Sequence, residues 1–226
     1  MTRFHRVFVW GGGALFVASL VVWLWWFLIE LGTATPWRGW APLAFDALLF
    51  TLFALHHSVF AREPIKRRLT AIPPGLRRSV YVWIASVLLL IVCLAWRRIG
   101  GDLYAARGVV GTALVGVQLT GIWLVVRSVA KIDPLELAGI RAATSMASLQ
   151  IEGPYRLVRH PLYLGWMFVV FAAPHMTGDR FAFAAISSIY LLAAVPWEER
   201  SLRLSFGDAY ARYERDVRWR VIPFVY

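Results

Sequence analysis

Apolar blocks of about 20 residues, the length that crosses the roughly 30 Å core of a bilayer, recur along this chain. Hydrophobic residues occupy 59% of the 226 positions and the mean hydropathy is +0.61, whereas a soluble domain is usually about 45–50% apolar. Lipid offers backbone groups no hydrogen-bond partner, so each crossing must be helical. The sequence therefore predicts an all-α, polytopic integral membrane protein.

Four of these blocks predict single spanning helices, at about residues 7–31, 42–61, 79–97 and 108–127. A fifth apolar stretch, 161–196, is too long for one crossing and predicts a helical hairpin. It is interrupted near its middle by Pro174, Gly178 and Asp179. The charged stretch from Glu198 to about Asp216 predicts an amphipathic C-terminal helix, because apolar side chains recur there at a spacing of four, at Leu202, Phe206 and Tyr210.

Two polar clusters flank the predicted hairpin. The first includes Arg159, whose planar fork suits a carboxylate or phosphate, and His160, which precedes the proline expected to open a helix. Tyr163 follows three residues later, on nearly the same face. The second cluster holds Glu198 and Glu199, whose carboxylates can accept hydrogen bonds from ribose hydroxyls. A simple ion pair between Arg159 and Glu199 at a helix end remains the structural alternative.

The charges predict an orientation. With the N-terminus inside, nineteen of the 24 Lys and Arg residues fall in inside segments and five in outside segments. Cytoplasmic loops are enriched in these residues, so we expect a cytoplasmic N-terminus, with both polar clusters on the cytoplasmic face of the membrane. The net charge of +11 then indicates contact with anionic lipid rather than nucleic acid, and the run Lys66-Arg67-Arg68 is expected to touch headgroups.

Several motifs that would indicate other chemistry are missing. The chain has no Gly-x-Gly-x-x-Gly, no Walker loop and no His-Glu-x-x-His. Its one cysteine, Cys93, excludes an intramolecular disulfide, and the consecutive His56 and His57 would lie about 100° apart on a helix, so no metal site is predicted. At membrane depth these histidines are expected either to face protein or a cavity, or to lie at the interface.

The C-terminal third resembles a family of membrane enzymes. The run Gly153-Pro154-Tyr155-Arg156, then Arg159-His160-Pro161-x-Tyr163-x-Gly165, is followed by Glu198-Glu199, Phe206-Gly207, Tyr210, Tyr213 and Pro223. This combination is similar to the signature of the isoprenylcysteine carboxyl methyltransferase and phospholipid N-methyltransferase superfamily. The resemblance implies S-adenosylmethionine as methyl donor and a donor pocket lined by Gly153, Tyr155, Arg159, His160, Tyr163, Glu198 and Glu199.

A narrower likeness concerns the N-terminal part. His57-Ser58-Val59-Phe60-Ala61-Arg62, Arg78-Ser79-Val80-Tyr81-Val82 and Asp133…Leu137-x-Gly139-x-Arg141 resemble bacterial methanethiol S-methyltransferases and related membrane proteins of nitrogen-oxide metabolism. It implies an acceptor site formed by His56, His57, Asp133, Glu136 and Arg141, although Asp133 and Glu136 can equally be ordinary loop charges. The catalytic residues are then expected to be His57, Arg159 and Glu199, with His57 taking the thiol proton or orienting the substrate near the other two.

The resulting expectation is a single domain over 1–226, with a transmembrane scaffold at 1–130 and a cofactor-binding part at 131–226. Its acceptor would be a small or lipophilic molecule, with thiol S-methylation favoured. Two alternatives remain open from the sequence: an NADPH-dependent membrane reductase, which the modest number of crossings disfavours, and a non-enzymatic factor of nitrogen-oxide metabolism.

Overall fold

The computed structural model describes residues 3–60, 65, 72–130, 133–141 and 148–226, so the predicted headgroup run at 66–68 lies outside it. Its helices and strands follow in chain order: α1 (Arg3–Trp25, continued by the π-helical turn Trp26–Glu30), α2 (Trp40–Val59), α3 (Pro74–Ala95), β1 (Asp102–Ala105), α4 (Gly108–Val129), α5 (Pro134–Leu137), α6 (Pro161–Phe171), β2 (His175–Thr177), α7 (Gly178–Phe206) and α8 (Asp208–Asp216).

Five of the described helices are long and apolar enough to cross a membrane: α1 with its π-helical turn, α2, α3, α4 and α7. The prediction of an all-α, polytopic membrane protein is therefore confirmed, and the strands β1 and β2 have only 4 and 3 residues. The four single crossings lie where the apolar blocks place them, with their ends shifted by a few residues.

The contacts divide the chain into two compact units. Unit 1 draws on Met1–Gly101 and Ile132–Ser145, and unit 2 on Asp102–Lys131 and Met146–Tyr226. Helix α4, expected in the scaffold, thus packs with the C-terminal residues, while α5 packs with the N-terminal helices. The expectation that the whole chain acts as one domain stays a prediction.

In unit 1, α1 packs closely against α3 at a row of glycines. A Cβ atom on Gly12 would lie 2.7 Å from the indole nitrogen of Trp83, which donates to the carbonyl of Phe8 at 2.9 Å. Small residues of this kind let membrane helices approach each other. The segment after α5 joins the same packing, because Ser79 donates a hydrogen bond to the carbonyl of Gly139.

In unit 2, α4 and α6 cross at a pair of facing glycines. A Cβ atom on Gly121 would lie 2.6 Å from the carbonyl oxygen of Gly165, and one on Gly165 would lie 2.7 Å from that of Gly121. Gln118 adds a hydrogen bond to the carbonyl of Val169 at 2.8 Å. Backbone groups therefore meet directly at this crossing, which fixes the helix that begins beside the first polar cluster.

The predicted hairpin consists of unequal arms. Helix α6 has 11 residues and α7 has 29, and β2 between them pairs antiparallel with β1. Of the three expected interruptions only Pro174 lies in the break. Gly178 and Asp179 instead open α7, where the Thr177 side chain accepts from the Arg180 backbone N–H and caps the helix.

The predicted start of the amphipathic C-terminal helix was wrong. Residues 198–206 continue α7, and α8 begins only at Asp208. The reason is Gly207, whose φ of +50° belongs to the left-handed region that ends helices. The apolar stripe faces the protein core, because Leu202 and Phe206 pack on the buried Tyr210.

Candidate active site

The backbone around Arg159 is held by two neighbouring segments of unit 2. A 3₁₀ turn, Gly153–Arg156, precedes it, and Pro161 opens α6 as the sequence predicted. The N–H groups of Arg159 and His160 donate to the carbonyls of Trp219 and Arg220 at 2.9 and 2.7 Å. These bonds bring a segment some sixty residues further along the chain against the motif.

Arg159 and Glu199 form a buried ion pair. The Nε and Nη2 atoms of Arg159 each lie 2.7 Å from Glu199 Oε1, and the two side chains are 7% and 1% exposed. The remaining guanidinium nitrogen donates to the carbonyls of Val217 and Arg218 at 2.8 and 3.0 Å. Because a buried charge is tolerated only when it is paired and hydrogen-bonded, this arrangement ties α7 to the loop before α6.

Two further arginines approach the other oxygen of the same carboxylate. Arg220 Nε lies 3.2 Å and Arg203 Nη2 3.6 Å from Glu199 Oε2, and both arginine side chains are partly exposed. Neither contact has hydrogen-bond geometry, so Oε2 is buried without a hydrogen-bond partner. Arg203 is also bound to Glu214, with its Nε 2.9 Å from Oε2 of that carboxylate.

His160 lies between the two glutamates. Its Nδ1 is 3.5 Å from Glu198 Oε2 and its Nε2 is 3.5 Å from Glu199 Oε1, while its ring stacks on Tyr163 at 5.4 Å and 14°. The Tyr163 hydroxyl donates to Glu198. Burial by itself lowers the pKa of His160, but contacts with the Glu198 and Glu199 carboxylates outweigh it and raise that pKa above 6.5.

These contacts define what we call the Glu199 cluster: Arg159, His160, Glu198, Glu199, Arg203 and Arg220. The structure thus joins four of the predicted donor-site residues directly and adds Tyr163 through its bond to Glu198. Arg203 and Arg220 were not predicted as site residues, because in the sequence both indicated only the orientation of the chain. Their spacing from the motif offered no local signal that they would meet one carboxylate.

Gly153 and Tyr155 lie in the 3₁₀ turn beside the cluster. Gly153 has a φ of +63°, which favours glycine, and no atom lies within 4 Å of a Cβ placed there. The Tyr155 hydroxyl donates to the Ser128 carbonyl at 3.3 Å, and the Tyr155 carbonyl accepts from Tyr213 at 2.7 Å. Burial, and then the Glu198 charge, raise the pKa of Tyr155. Tyr155 therefore forms hydrogen bonds through both its hydroxyl and its carbonyl group, and a donor-binding role for its ring stays a prediction.

Tyr210 is a further buried polar group beside this site. Its side chain is 1% exposed and its hydroxyl has no hydrogen-bond partner. Burial, and then the negative charge of Glu199, raise the pKa of that hydroxyl. Tyr210 belongs to the sequence signature, but nothing in its position indicated a buried, unsatisfied hydroxyl.

The two predicted histidines lie at the end of α2 in unit 1. His56 is buried between the rings of Phe60 and Tyr81, at centroid distances of 5.0 and 5.3 Å. His57 Nδ1 lies 3.0 Å from the Tyr81 hydroxyl, which also lies 3.2 Å from the His57 carbonyl oxygen. The expectation that these histidines face protein is confirmed for His56, and the proposed catalytic role of His57 stays a prediction.

The remaining predicted acceptor residues also lie in unit 1. Asp133 caps α5 by accepting from the Leu135 N–H at 2.9 Å, and it pairs with Arg141 at 2.8 Å. The Leu135 hydrogen bond first, and then Arg141, hold the pKa of this carboxyl below its usual value. The carbonyl of Glu136 accepts from Arg78 Nε at 3.1 Å. All three residues thus have structural partners, while their role toward an acceptor stays a prediction.

Comparison with known proteins gives several similar sequences. The chain is 36% identical over 198 residues to methanethiol S-methyltransferase 2 of Bradyrhizobium diazoefficiens, covering 84% of this chain and 76% of the relative. It is 36% identical to the methanethiol S-methyltransferase of Mycobacterium tuberculosis, over 76% of this chain and 75% of the relative. For that of Crocosphaera subtropica the identity is 34%, over 81% and 75%.

No protein-family model matches the chain. No solved structure matches it either.

Proposed function

Because this chain belongs to the family of the methanethiol S-methyltransferases and is an integral membrane methyltransferase, we propose that it moves a methyl group from S-adenosylmethionine to a small thiol at the cytoplasmic membrane face. The observation that carries the proposal is the buried Arg159–Glu199 pair. It lies at the centre of the motif that the resemblance assigns to the donor, and it leaves polar atoms of the cluster unsatisfied.

The chemistry of the Glu199 cluster fits this donor. Glu199 Oε2 and His160 Nε2 are buried without hydrogen-bond partners, and a buried polar atom of this kind is costly unless a ligand or water satisfies it. The donor offers hydroxyl and ammonium groups for the carboxylates, and a carboxylate for the partly exposed Arg220 or Arg203. When bound, the donor supplies an electrophilic methyl group on a positively charged sulfur.

A thiol is the acceptor that asks least of the protein. The reference pKa of a cysteine thiol is about 8.5, and a base need remove only one proton from a thiol to form the reactive thiolate. In the reaction the thiol sulfur forms the new bond to carbon, the donor's carbon–sulfur bond breaks, and the thiol proton leaves to a base or to water. We assign the removal of this proton to His57, which lies in one of the motifs that resemble the methanethiol S-methyltransferases.

The Tyr81 hydroxyl supports that assignment. It lies within hydrogen-bond distance of both Nδ1 and the carbonyl oxygen of His57. When Tyr81 donates to the carbonyl and Nδ1–H donates to Tyr81, the Nε2 lone pair becomes the basic site of the ring. Tyr81 would thus hold the His57 ring in the orientation and tautomer that a general base needs.

The placement at the cytoplasmic face rests on the distribution of charge. With the N-terminus inside, the predicted topology assigns nineteen of the 24 basic residues, and the Glu199 cluster, to the cytoplasmic side. The soluble methyl donor is present on that side of a bacterial inner membrane. The acceptor is a small molecule, and lipids remain proposed as partners of the spanning surface.

Isothermal titration of the detergent-solubilised protein with S-adenosylhomocysteine tests the donor site, with NADPH titrated in parallel. We expect binding of the former, lost in Arg159→Ala, and retained in Arg156→Ala, whose exposed side chain belongs to the same motif. Binding of NADPH alone would instead support a reductase. Binding of neither ligand by folded protein would favour a non-enzymatic factor and contradict the donor site.

Single-turnover methyl transfer to methanethiol, started with bound S-adenosylmethionine, tests the role of His57. We expect His57→Ala to slow the transfer by about 10²–10⁴-fold, the usual contribution of a positioned base, while S-adenosylhomocysteine still binds. An undiminished rate in this variant would remove His57 from the mechanism without affecting the donor site.

A further inference from the structure

A folded turn at residues 221–226 presents two exposed apolar side chains. Phe224 is 84% exposed and Val225 is 74% exposed. Among the described residues Phe224 alone has a positive φ without being glycine, at 65°. A bulky residue adopts this conformation only where its surroundings impose it, and such outliers cluster at functional positions. The backbone therefore holds the Phe224 ring outward at some cost.

Hydrogen bonds close the turn at residues 220–222, which we call its root. The N–H groups of Arg220, Val221 and Ile222 all lie 2.9–3.1 Å from the carbonyl oxygen of Tyr226, and the Val225 and Tyr226 N–H groups donate back to Ile222. Val221 is fully buried. The exposed pair thus stands on an ordered base and does not belong to a frayed strand.

Helix α7 sets the level of the membrane in unit 2. From Gly178 to Trp197 it rises about 29 Å at 1.5 Å per residue, close to the roughly 30 Å hydrocarbon core. Trp197 is 53% exposed, as expected of a tryptophan at the headgroup level. The remaining residues of α7 continue beyond that level.

The root of the turn packs at the same level. Val221 belongs to one buried cluster with Val195 and Leu164, and Trp219 and Tyr226 pack against that cluster. Val195 precedes Trp197 by two residues and so lies about 3 Å further toward the hydrocarbon. The root of the turn therefore packs close to the headgroup level that Trp197 marks.

We propose that the turn 221–226 is a membrane anchor whose Phe224 and Val225 side chains insert into the edge of the bilayer. The occupant of this apolar patch is the bilayer, because the root of the turn packs on Val195, next to the headgroup level that Trp197 marks. The carbonyl oxygens of the segment just before the turn accept hydrogen bonds from Arg159 and His160. The anchor therefore fixes the Glu199 cluster at the membrane boundary, whatever ligand that cluster binds.

Fluorophore labelling tests the anchor without reference to catalysis. The one native cysteine, Cys93, is buried, so Phe224→Cys and Val225→Cys can be labelled with an environment-sensitive dye and reconstituted into vesicles. Ser205→Cys is the matched control, because Ser205 is exposed and lies about 12 Å beyond Trp197 along α7. Brominated acyl chains serve as quenchers that reach only groups in contact with lipid.

We expect blue-shifted emission at positions 224 and 225 that loses at least half its intensity in brominated vesicles, and water-like, unquenched emission at position 205. Blue-shifted emission without quenching would show that protein, such as a second copy of this chain, covers the patch. Water-like emission at both 224 and 225 would place the turn outside the bilayer. Either of these two results overturns the anchor, and the second labelled site guards against a folding defect in Phe224→Cys.

Discussion

The neighbouring glutamates of the cluster offer a matched pair of perturbations. Glu199→Gln and Glu198→Gln make the same chemical change one residue apart, but the Glu199 side chain is 1% exposed and the Glu198 side chain is 47% exposed. The amide preserves the size of the side chain and removes its charge. Any difference between the variants therefore reports how much the buried charge matters.

The structure sets the magnitude. Glu199→Gln leaves the Arg159 guanidinium, 7% exposed, without a counter-charge, and breaking a buried pair in this way costs about 3–5 kcal/mol. Glu198 is half-exposed, and a glutamine there can still accept from Tyr163, so the loss should stay within about 1 kcal/mol. For a chain of this size about 1 kcal/mol shifts Tm by 2–4 °C.

Thermal unfolding in one detergent, followed by far-ultraviolet circular dichroism, measures both variants. We expect Glu199→Gln to lower Tm by roughly 10 °C and Glu198→Gln by at most about 4 °C. Glu199→Asp, which keeps the charge but retracts it by one methylene, should fall between them. Equal shifts for the two glutamine variants would contradict this prediction, because they would show that Glu199 is not buried against Arg159.

Three further predictions concern packing and pH. Gly121→Ala should lower the free energy of unfolding by about 1–3 kcal/mol relative to Gly116→Ala, because a Cβ at 121 meets backbone while none lies within 4 Å at 116; thermal unfolding of both variants checks this. Gly139→Ala should likewise destabilise the protein more than Gly75→Ala, since Gly139 has a φ of +72° and a Cβ there would lie 2.8 Å from a valine methyl group. The rates at which a protease cleaves the two variants check this. The pKa of His160 is raised above 6.5, so its stabilising contacts are complete below pH 6.5 and are lost as the pH rises through the raised value. The Tm gap between wild type and His160→Gln should therefore narrow as the pH is raised, and a gap that widens would contradict the assigned direction.

The local sequence pattern was sufficient to predict most helices of this fold. The length of an apolar block decides whether a helix spans the bilayer, because the backbone has no other way to satisfy its polar groups in lipid. The start of α6 at Pro161 and the common face of His160 and Tyr163 follow from the same local rules. The helix end at Gly207 was missed, since a glycine within a charged helical pattern shows no sign by itself of a left-handed φ.

Which distant groups meet became evident only from the packing of the helices and loops. From the sequence we predicted that the chain spans a membrane, which is confirmed, and that residues 153–165 and 198–199 carry its chemistry, which stays a prediction. The sequence did not reveal that α4 packs with the C-terminal residues and crosses α6 at paired glycines, or that Arg220 approaches Glu199. Propensity and hydrophobic periodicity are set by neighbours within a few residues, whereas convergence on one buried carboxylate depends on how separate segments pack.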